Sequence, residues 1–330
     1  MNLDAREPSL PATVWVGHLR GRGETRQQHA RAARRGDEVR IARGVYADSA
    51  AWETLGAREQ HVIRLGAYAR RRAMAPVFSH WSAAALHGMP FADDHADAIH
   101  VAVGRTSGGR SARDVRAHSI EVPSVDIVEV AGVRCTSAGR TAVDLAATAQ
   151  TAESVAIADR LLHRRLGGRR DSPGDRTVLL EAWMRGQPLR GHRRALDVIE
   201  FADGRAESPL ESISRVAMYE AGFPRPVLQE PILDANGLIG YADFAWPEHG
   251  IVGEADGDAK YLDPALRGRR SADRVVLDEK VREDRLRAAG WKVVRWRWAA
   301  ARGGRPLAEA LTAAGLPSDP RRRWDDCGVA

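Results

Sequence analysis

Three acidic residues near the C-terminal end of the chain have the spacing of a metal-binding carboxylate set. Residues 247–250, with the sequence Pro-Glu-His-Gly, predict a four-residue turn between two strands. Trp246 would then pair with Ile251, and Asp243 would lie opposite Glu254. Opposed residues of antiparallel strands point to the same face, with Cβ atoms ~4.5–5.5 Å apart. The turn therefore predicts that two carboxylates lie side by side.

Asp256 follows Glu254 by two residues and is expected on the same face. Three neighbouring carboxylates repel each other, and a divalent cation that prefers oxygen ligands, such as Mg²⁺ or Mn²⁺, relieves the repulsion. The alternative is a solvated acidic face with a shifted register, since Phe244 and Trp246 break a simple alternation. Gly257 favours the metal site because glycine allows close approach to a backbone. The predicted metal ligands are Asp243, Glu254 and Asp256.

Lysine is rare in this chain, which has 47 Arg and only 3 Lys, all within the last 71 residues. A GC-rich genome explains the arginine excess. A retained lysine can also mark a position where a compact, titratable ammonium is wanted instead of a permanently charged, planar guanidinium. Lys260 and Lys280 are the two that lie between the carboxylates and the end of the following helix.

Glu211 has two interpretations. Ser208, Pro209 and Glu211 suit the N-cap, N1 and N3 positions of a helix that Gly222 ends. Glu211 can close a capping box and pair with Arg215 at i+4, or it can join the carboxylate site. The elements expected after this helix are strands near 226–232, 239–246 and 250–256, a helix over 272–289 and a strand over 291–298. Trp296 and Trp298 would share one face of that last strand, where core packing and base stacking are the two alternatives.

The N-terminal segment predicts a winged helix. Thr25 and Gln28 suit a capping box, Gly36 ends the helix, and Arg43-Gly44 form the turn of a strand hairpin. A basic helix followed by a basic hairpin is typical of DNA-binding proteins. The alternative is a small helical domain with solvated arginines. The candidate DNA contacts are Arg26, Gln27, Arg31, Arg34, Arg35, Arg40 and Arg43.

The charge distribution supports one local basic surface. Residues 1–90 carry a net charge of +6, residues 91–205 carry +1, and residues 206–330 carry −1. No apolar run is long enough to span a membrane, no signal peptide is visible, and Cys135 and Cys327 are too few for a disulfide framework. We therefore expect a cytoplasmic protein with no membrane partner.

The middle of the chain shows no catalytic constellation. Helices are expected over 57–73, 136–148, 153–165, 177–185 and 192–203, and strands over 98–104, 115–121 and 125–135. His80 and His87 have a spacing that could place them on one helix face, but no carboxylate completes a metal set, so ordinary packing is favoured. A scaffold or partner-binding role is the plain interpretation.

The C-terminal residues resemble a known nuclease core. Glu211 on a helix, Asp243-Phe244 ending a strand and Glu254-Ala-Asp256-Gly257 on the next strand resemble the PD-(D/E)xK fold of very-short-patch-repair endonucleases. Residues 279–286 and 290–295 add to the likeness. The resemblance implies metal-dependent hydrolysis of DNA phosphodiester bonds, with Asp243 and Glu254 on the metal and Glu211 helping through a water. It departs from the usual Glu-x-Lys at Asp256, so Lys260 or Lys280 would have to supply the cation.

The N-terminal residues Arg43-Gly44-Val45-Tyr46 resemble the winged-helix domain of AbiEi-type abortive-infection antitoxins. This second resemblance implies a role in phage defence or a toxin–antitoxin system, with DNA and a cognate toxin as partners. If the nuclease fold is inactive, the chain would be an antitoxin-like transcriptional regulator. The two resemblances cover about two-thirds of the chain.

The expected fold class is mixed α/β. The predicted organisation is a winged-helix DNA-binding domain over residues 1–55, an α+β scaffold region over 56–205 and a nuclease-like domain over 206–330.

Overall fold

The computed structural model describes residues 14–15, 26–104, 111, 114–163, 175–257, 272–321 and 324. They form a mixed α/β structure, which confirms the expected fold class. Two compact units divide the chain. The N-terminal unit comprises the described parts of Asn2–Ala147 together with Val178–His192, and the C-terminal unit those of Thr148–Thr177 and Arg193–Ala330. The predicted middle segment, 56–205, therefore contributes to both units.

Helices and strands follow one another along the described residues. In chain order, the helices are α1 (Arg26–Arg35), α2 (Ser49–Glu53), α3 (Ala57–Ala69), α4 (His80–Leu86), α5 (Ala138–Thr148), α6 (Thr151–Leu162), α7 (Arg176–Arg185), α8 (His192–Phe201), α9 (Pro209–Glu220), α10 (Ala272–Ala288), α11 (Trp298–Gly303) and α12 (Arg305–Ala313). The strands are β1 (Val14–Trp15), β2 (Glu38–Ala42), β3 (Val45–Asp48), β4 (Val77–Phe78), β5 (Ile99–Val103), β6 (Val115–Ser119), β7 (Ile127–Val130), β8 (Val133–Thr136), β9 (Val227–Asp234), β10 (Gly237–Trp246), β11 (Ile251–Ala255) and β12 (Lys292–Trp296).

The strands form three sheets. In the N-terminal unit, one sheet has the order β1-β3-β2 and another has the order β6-β5-β4-β8-β7. The C-terminal unit holds the sheet β12-β11-β10-β9, in which β9, β10 and β11 are antiparallel and β12 joins β11 in parallel. The connection from β11 to β12 contains α10, as a parallel pair requires a crossover.

The predicted N-terminal helix and hairpin are confirmed as local structure. Gly36 follows α1 with φ +90°, and Gly44 lies in the turn between β2 and β3 with φ +78°, a region that glycine adopts without steric cost. His29 on α1 contacts the Glu38 carboxylate at 2.8 Å and stacks on Tyr46, so the helix is fastened to the hairpin.

The single strand expected over 125–135 is wrong. Two antiparallel strands, β7 and β8, occupy this stretch and pair through Val130 and Val133. Ala131 and Gly132 between them both have positive φ, at 50° and 72°. Two such residues make the tight turn that suits a strand hairpin. The sequence pattern missed the turn because alanine is an unusual residue for its first position.

The core of the C-terminal unit lies between α9 and its sheet. Phe244 packs on Trp296, whose indole nitrogen donates to the Ser214 hydroxyl of α9 at 2.8 Å. The expected pairing of Trp296 and Trp298 on one strand face is wrong, because β12 ends at Trp296 and Trp298 begins α11. For Trp296, core packing is confirmed.

Among the helices that the structure describes, none combines the length and the apolar character needed to cross a membrane.

Candidate active site

The predicted register between β10 and β11 is confirmed. Trp246 pairs with Ile251 and Phe244 with Gly253, and Gly250 closes the turn with φ +61°. Continuing this register by one residue places Asp243 opposite Glu254. The Asp243 carboxylate also spans to the neighbouring strand, where its Oδ2 accepts a hydrogen bond from the backbone N–H of Ala255 at 2.8 Å.

Glu211 lies at the first turn of α9 and is almost completely buried, at 4% exposure. Its Oε1 accepts from the Ser208 hydroxyl at 2.7 Å and its Oε2 from the backbone N–H of Glu207 at 2.9 Å, while the Ser208 hydroxyl caps the helix. Burial, and next the charge of Asp243, raise the pKa of Glu211 to about 7. Glu211 therefore supports the helix start and also belongs electrostatically to the carboxylate site.

Arg215 is not the partner of Glu211 that the i+4 spacing predicted. Its guanidinium instead donates to the Asp159 carboxylate on α6 at 2.7 Å and to the carbonyl oxygen of Phe201 at 2.7 Å. The side chains of Arg215 and Asp159 are both buried in the C-terminal unit.

Gln229 joins two of the predicted site residues and was missed in the sequence. Its amide Nε2 lies 3.2 Å from Oε2 of Glu211 and 3.5 Å from Oδ1 of Asp243. The residue lies within β9 yet has φ +53°. A left-handed conformation of a residue other than glycine costs ~1–3 kcal/mol and is often found at functional sites. Nothing in a single sequence marks this glutamine among other strand residues.

Glu254 is held by an arginine from α10. The two amino groups of Arg282 donate to the two carboxylate oxygens of Glu254, at 2.7 Å and 2.9 Å, and one of them also donates to the carbonyl oxygen of Tyr241 at 2.8 Å. Glu254 is buried, at 7% exposure. This two-pronged geometry matches the planar guanidinium to the carboxylate. Arg282 lies in the motif-like run 279–286, but the sequence pattern alone predicts no role for it.

Asp256 directly follows β11 and lies next to β12. Its backbone N–H donates to the carbonyl oxygen of Trp296 at 2.9 Å, and its Oδ2 lies 3.9 Å from Nη1 of Arg295. The parallel pairing of β11 with β12 brings Arg295 opposite Glu254 along the ladder. Among the described residues, Arg282 of α10 therefore contacts Glu254, and Arg295 of β12 lies beside Asp256.

Of the two candidate lysines, Lys280 alone lies among the residues that the structure describes. Lys260 lies outside the residues that the structure describes. Lys280 is exposed on α10, two residues before Arg282.

The site suits a hard divalent cation in the type of its ligands, which are carboxylate oxygens. The positions of these carboxylates do not suit such an ion. Over the described ranges, no group of three or more His, Cys, Asp or Glu side chains is placed so that it could hold a metal ion. Both oxygens of Glu254 are already engaged by Arg282. A cation that used Glu254 would first have to displace this arginine.

The N-terminal unit carries the predicted basic surface. Arg31, Arg34 and Arg35 are exposed along α1, and Arg40 and Arg43 are exposed on the adjoining hairpin. Arg35 pairs with Asp37 at 2.8 Å. Gln27 is also exposed, and Arg26 is the first residue of α1. The structure therefore presents the guanidinium groups to solvent, as both the DNA-binding interpretation and the solvated-helix alternative require.

His80 and His87 contact different partners within the N-terminal unit, as ordinary packing predicts. His87 donates from Nε2 to the carbonyl oxygen of Thr136 at 2.8 Å. His80 stacks on His118 with ring centroids 3.5 Å apart, and Nε2 of His118 lies 2.9 Å from Nδ1 of His100. Burial is the main cause that lowers the pKa of His118 to about 4 and that of His100 to about 3.

Comparison with known proteins places the chain in a family. No family model matches it. Two proteins from strains of Mycobacterium tuberculosis, the uncharacterized proteins Rv2248 and MT2308, are each 30% identical to it over 270 residues. The match covers 82% of this chain and 89% of each relative, so it includes residues of both units. The chain therefore belongs to the same protein family as Rv2248 and MT2308.

Proposed function

We propose that this protein binds DNA through α1 and the hairpin of β2 and β3, and that its C-terminal unit hydrolyses DNA phosphodiester bonds with a divalent cation. One observation carries the proposal. Glu211 from α9 and Asp243 from β10 form a carboxylate pair around Gln229, beside Glu254 on β11. Burying one carboxylate beside another costs stability, and such perturbed groups are concentrated at functional sites.

Mg²⁺ or Mn²⁺ is the cofactor that this proposal requires, and Asp243, Glu254 and Asp256 would be its ligands once Arg282 no longer contacts Glu254. When bound, the ion would lower the pKa of a bound water and stabilise the charge that develops at phosphorus. Glu211 would exchange a proton at its carboxylate, because a pKa of about 7 leaves both protonation states populated at neutral pH. Gln229 would orient Glu211 and Asp243 by donating to both.

The basic surface would position the DNA. Exposed guanidinium groups bind phosphate oxygens without regard to sequence, and they fix the protein on the duplex. Residues 1–90 of the N-terminal unit carry a net positive charge, which attracts the negatively charged phosphates of DNA.

The test uses the full-length protein with supercoiled and linear DNA, in Mg²⁺, Mn²⁺ or EDTA. We expect cleavage that needs the metal. Asp243→Asn should reduce the rate by at least ~100-fold, the upper range for losing a group that supports a metal site. Asp234→Asn is the matched control, since Asp234 lies at the β9–β10 turn and pairs with Arg285. Absence of cleavage in every condition contradicts the nuclease proposal.

A second function is favoured by the contact between Arg282 and Glu254. An arginine that satisfies both oxygens of a predicted ligand is what an inactive, purely structural nuclease fold would retain. The protein would then be an antitoxin-like transcriptional regulator that binds DNA and a cognate toxin. DNA binding that weakens with salt, without cleavage, and that is lost when Arg31 and Arg34 are replaced, supports this alternative.

A further inference from the structure

The exposed face of α1 carries two kinds of polar side chain. Gln27, Arg31 and Arg34 are all exposed, and their spacing of four and three residues places them in one stripe along the helix. His29 is buried on the opposite side of the helix, where its Nδ1 lies 2.8 Å from Oε1 of Glu38. The stripe therefore begins with a neutral amide near the N-terminal end of α1 and continues with guanidinium groups.

The hairpin adds a cation on the side that faces α1. Arg40 of β2 pairs with Tyr46 of β3, and opposed residues of antiparallel strands share a face. Tyr46 stacks on His29 of α1 with ring centroids 5.6 Å apart, so this face of the hairpin is the one next to the helix. Val39, which precedes Arg40, packs with the hydrophobic cluster on the other face. The exposed Arg40 therefore belongs to the same surface as the stripe of α1.

The amide of Gln27 differs from the neighbouring guanidinium groups in what it can recognise. Binding to phosphates gains its free energy from cations, which release the counterions of DNA, so a neutral amide contributes little to it. A glutamine amide has a donor and an acceptor side by side, which match N7 and the N6 amino group of adenine in the major groove. In helix-turn-helix proteins, the N-terminal residues of the recognition helix are those that contact base edges. Gln27 has both the position and the chemistry for reading a base.

We infer that Gln27 selects an adenine in the major groove of DNA, while Arg31, Arg34 and Arg40 hold the helix in place by binding phosphates. The inference rests on the proposed function for the binding of DNA by α1, and it adds that this binding depends on sequence. The substrate class is duplex DNA with an A·T pair at one fixed position, instead of DNA of any sequence.

The test begins with the selection of bound duplexes from a randomised library by the full-length protein, in EDTA so that no metal-dependent cleavage occurs. We expect the wild type to enrich duplexes that share an A·T pair at one position. Its affinity for the enriched duplex should exceed that for the same duplex with G·C at this position by about tenfold. In Gln27→Ala this ratio should fall to about one. Fluorescence anisotropy measures the affinities for both duplexes.

Gln27→Lys is a second variant, with a result that a merely structural role of Gln27 would not produce. Lysine donates to O6 and N7 of guanine, so this variant should prefer the duplex with G·C. Arg34→Ala is the matched control on the same stripe. It should weaken binding to both duplexes by a similar factor and leave the ratio of the two affinities unchanged, because phosphate contacts carry no sequence information.

Three results would overturn the inference. One is a preference for A·T that persists in Gln27→Ala or in Gln27→Lys. Another is a wild type that enriches duplexes without a shared A·T position. The third is a wild type that binds all duplexes equally.

The outcomes for this inference and for the proposed function can be told apart. Equal binding to all duplexes removes the inference and leaves DNA binding by α1 standing. Absence of binding to every duplex refutes the DNA-binding part of the proposed function, and this inference with it. Binding that depends on Gln27 and on the A·T pair, without cleavage in Mg²⁺ or Mn²⁺, leaves the inference standing and refutes the nuclease.

Discussion

Arg215 and Asp159 form a buried ion pair inside the C-terminal unit. Nη1 of Arg215 lies 2.7 Å from Oδ2 of Asp159, and their side chains are 2% and 1% exposed. The other oxygen of Asp159 accepts from the backbone N–H of Asp203 at 2.7 Å, and Arg215 also donates to the carbonyl oxygen of Phe201. The pair therefore joins α6, α9 and the end of α8.

Breaking this ion pair should be strongly destabilising. Arg215→Met leaves a buried carboxylate without its cation, a change that costs ~3–5 kcal/mol. Denaturant unfolding of the full-length protein measures the loss. Arg305→Met is the control, because the exposed pair of Arg305 with Glu309 should contribute little. The double substitution with Asp159→Leu should recover part of the loss, and a double variant less stable than Arg215→Met would contradict this account.

Gly253→Ala should destabilise the central strands of the C-terminal sheet. A Cβ atom at this position would lie 2.6 Å from Cη2 of Trp296 and 3.3 Å from Cβ of Phe244. Overpacking of this kind costs ~1–3 kcal/mol because the aromatic rings must move. Thermal unfolding measures it, with Gly257→Ala as the control, where nothing lies within 4 Å. Equal melting temperatures for the two variants would show that the core accommodates the methyl group.

The N-terminal unit should lose stability in acid. Burial is the main cause that lowers the pKa of His61 to about 4, and it acts likewise on His80, His100 and His118. In the neutral ring of His61, Nδ1 donates to the carbonyl oxygen of Ala96 and Nε2 accepts from the Ser82 hydroxyl. Neighbouring charges act in the same direction, namely Arg64, Arg116, Arg140 and His95.

The direction of this pH effect follows from the number of protons that the folded and unfolded states bind. Unfolded histidine has a pKa of about 6.5, so between about pH 4 and 6.5 the unfolded state binds more protons than the folded state. Stability should be fully present above pH 6.5 and fall as the pH decreases towards 4. Urea unfolding at a series of pH values tests this. His100→Gln should reduce the slope of the unfolding free energy against pH by the amount that corresponds to about one proton. His249→Gln is the control, because His249 is exposed. An unfolding free energy that does not change with pH below 6.5 would contradict the prediction.

The basic surface predicts a defined salt dependence. Replacing Arg31 and Arg34 with alanine should weaken binding to any DNA sequence, and the slope of log K against log salt should fall by about one for each phosphate that the variant no longer binds. Arg193→Ala is the control, because Arg193 is exposed on α8 of the C-terminal unit. Fluorescence anisotropy at several salt concentrations gives both quantities. Equal slopes for the double variant and the control would favour the solvated-helix alternative.

The elements that the sequence predicted well are those with local signals. Gly36, Gly44 and the turn at 247–250 mark ends and turns whose geometry depends on a few adjacent residues. The four-residue turn also determined the register, so the pairing of Trp246 with Ile251 could be predicted. The turn at Ala131-Gly132 was missed because its first residue carries no turn signal.

The site was predicted less completely, since its contacts join distant parts of the chain. Arg282 is 28 residues from Glu254, and their meeting depends on how α10 packs on the sheet, through Leu286 against Val252 among others. Helix spacing predicts Glu211 as the partner of Arg215, but a buried carboxylate 56 residues earlier holds it. The position of the Gln229 side chain depends on an unusual backbone conformation, which a single sequence does not indicate.

The division of the chain into units has a consequence for its biosynthesis. The polypeptide leaves the N-terminal unit after Ala147, returns for Val178–His192 and then leaves again. During translation, the N-terminal unit lacks its last segment until His192 has emerged from the ribosome, and by then α6 has already emerged. One stop codon or one proteolytic cut releases either unit with all of its segments only together with a segment of the other unit. Expression of the separate units would require a permuted or internally deleted gene.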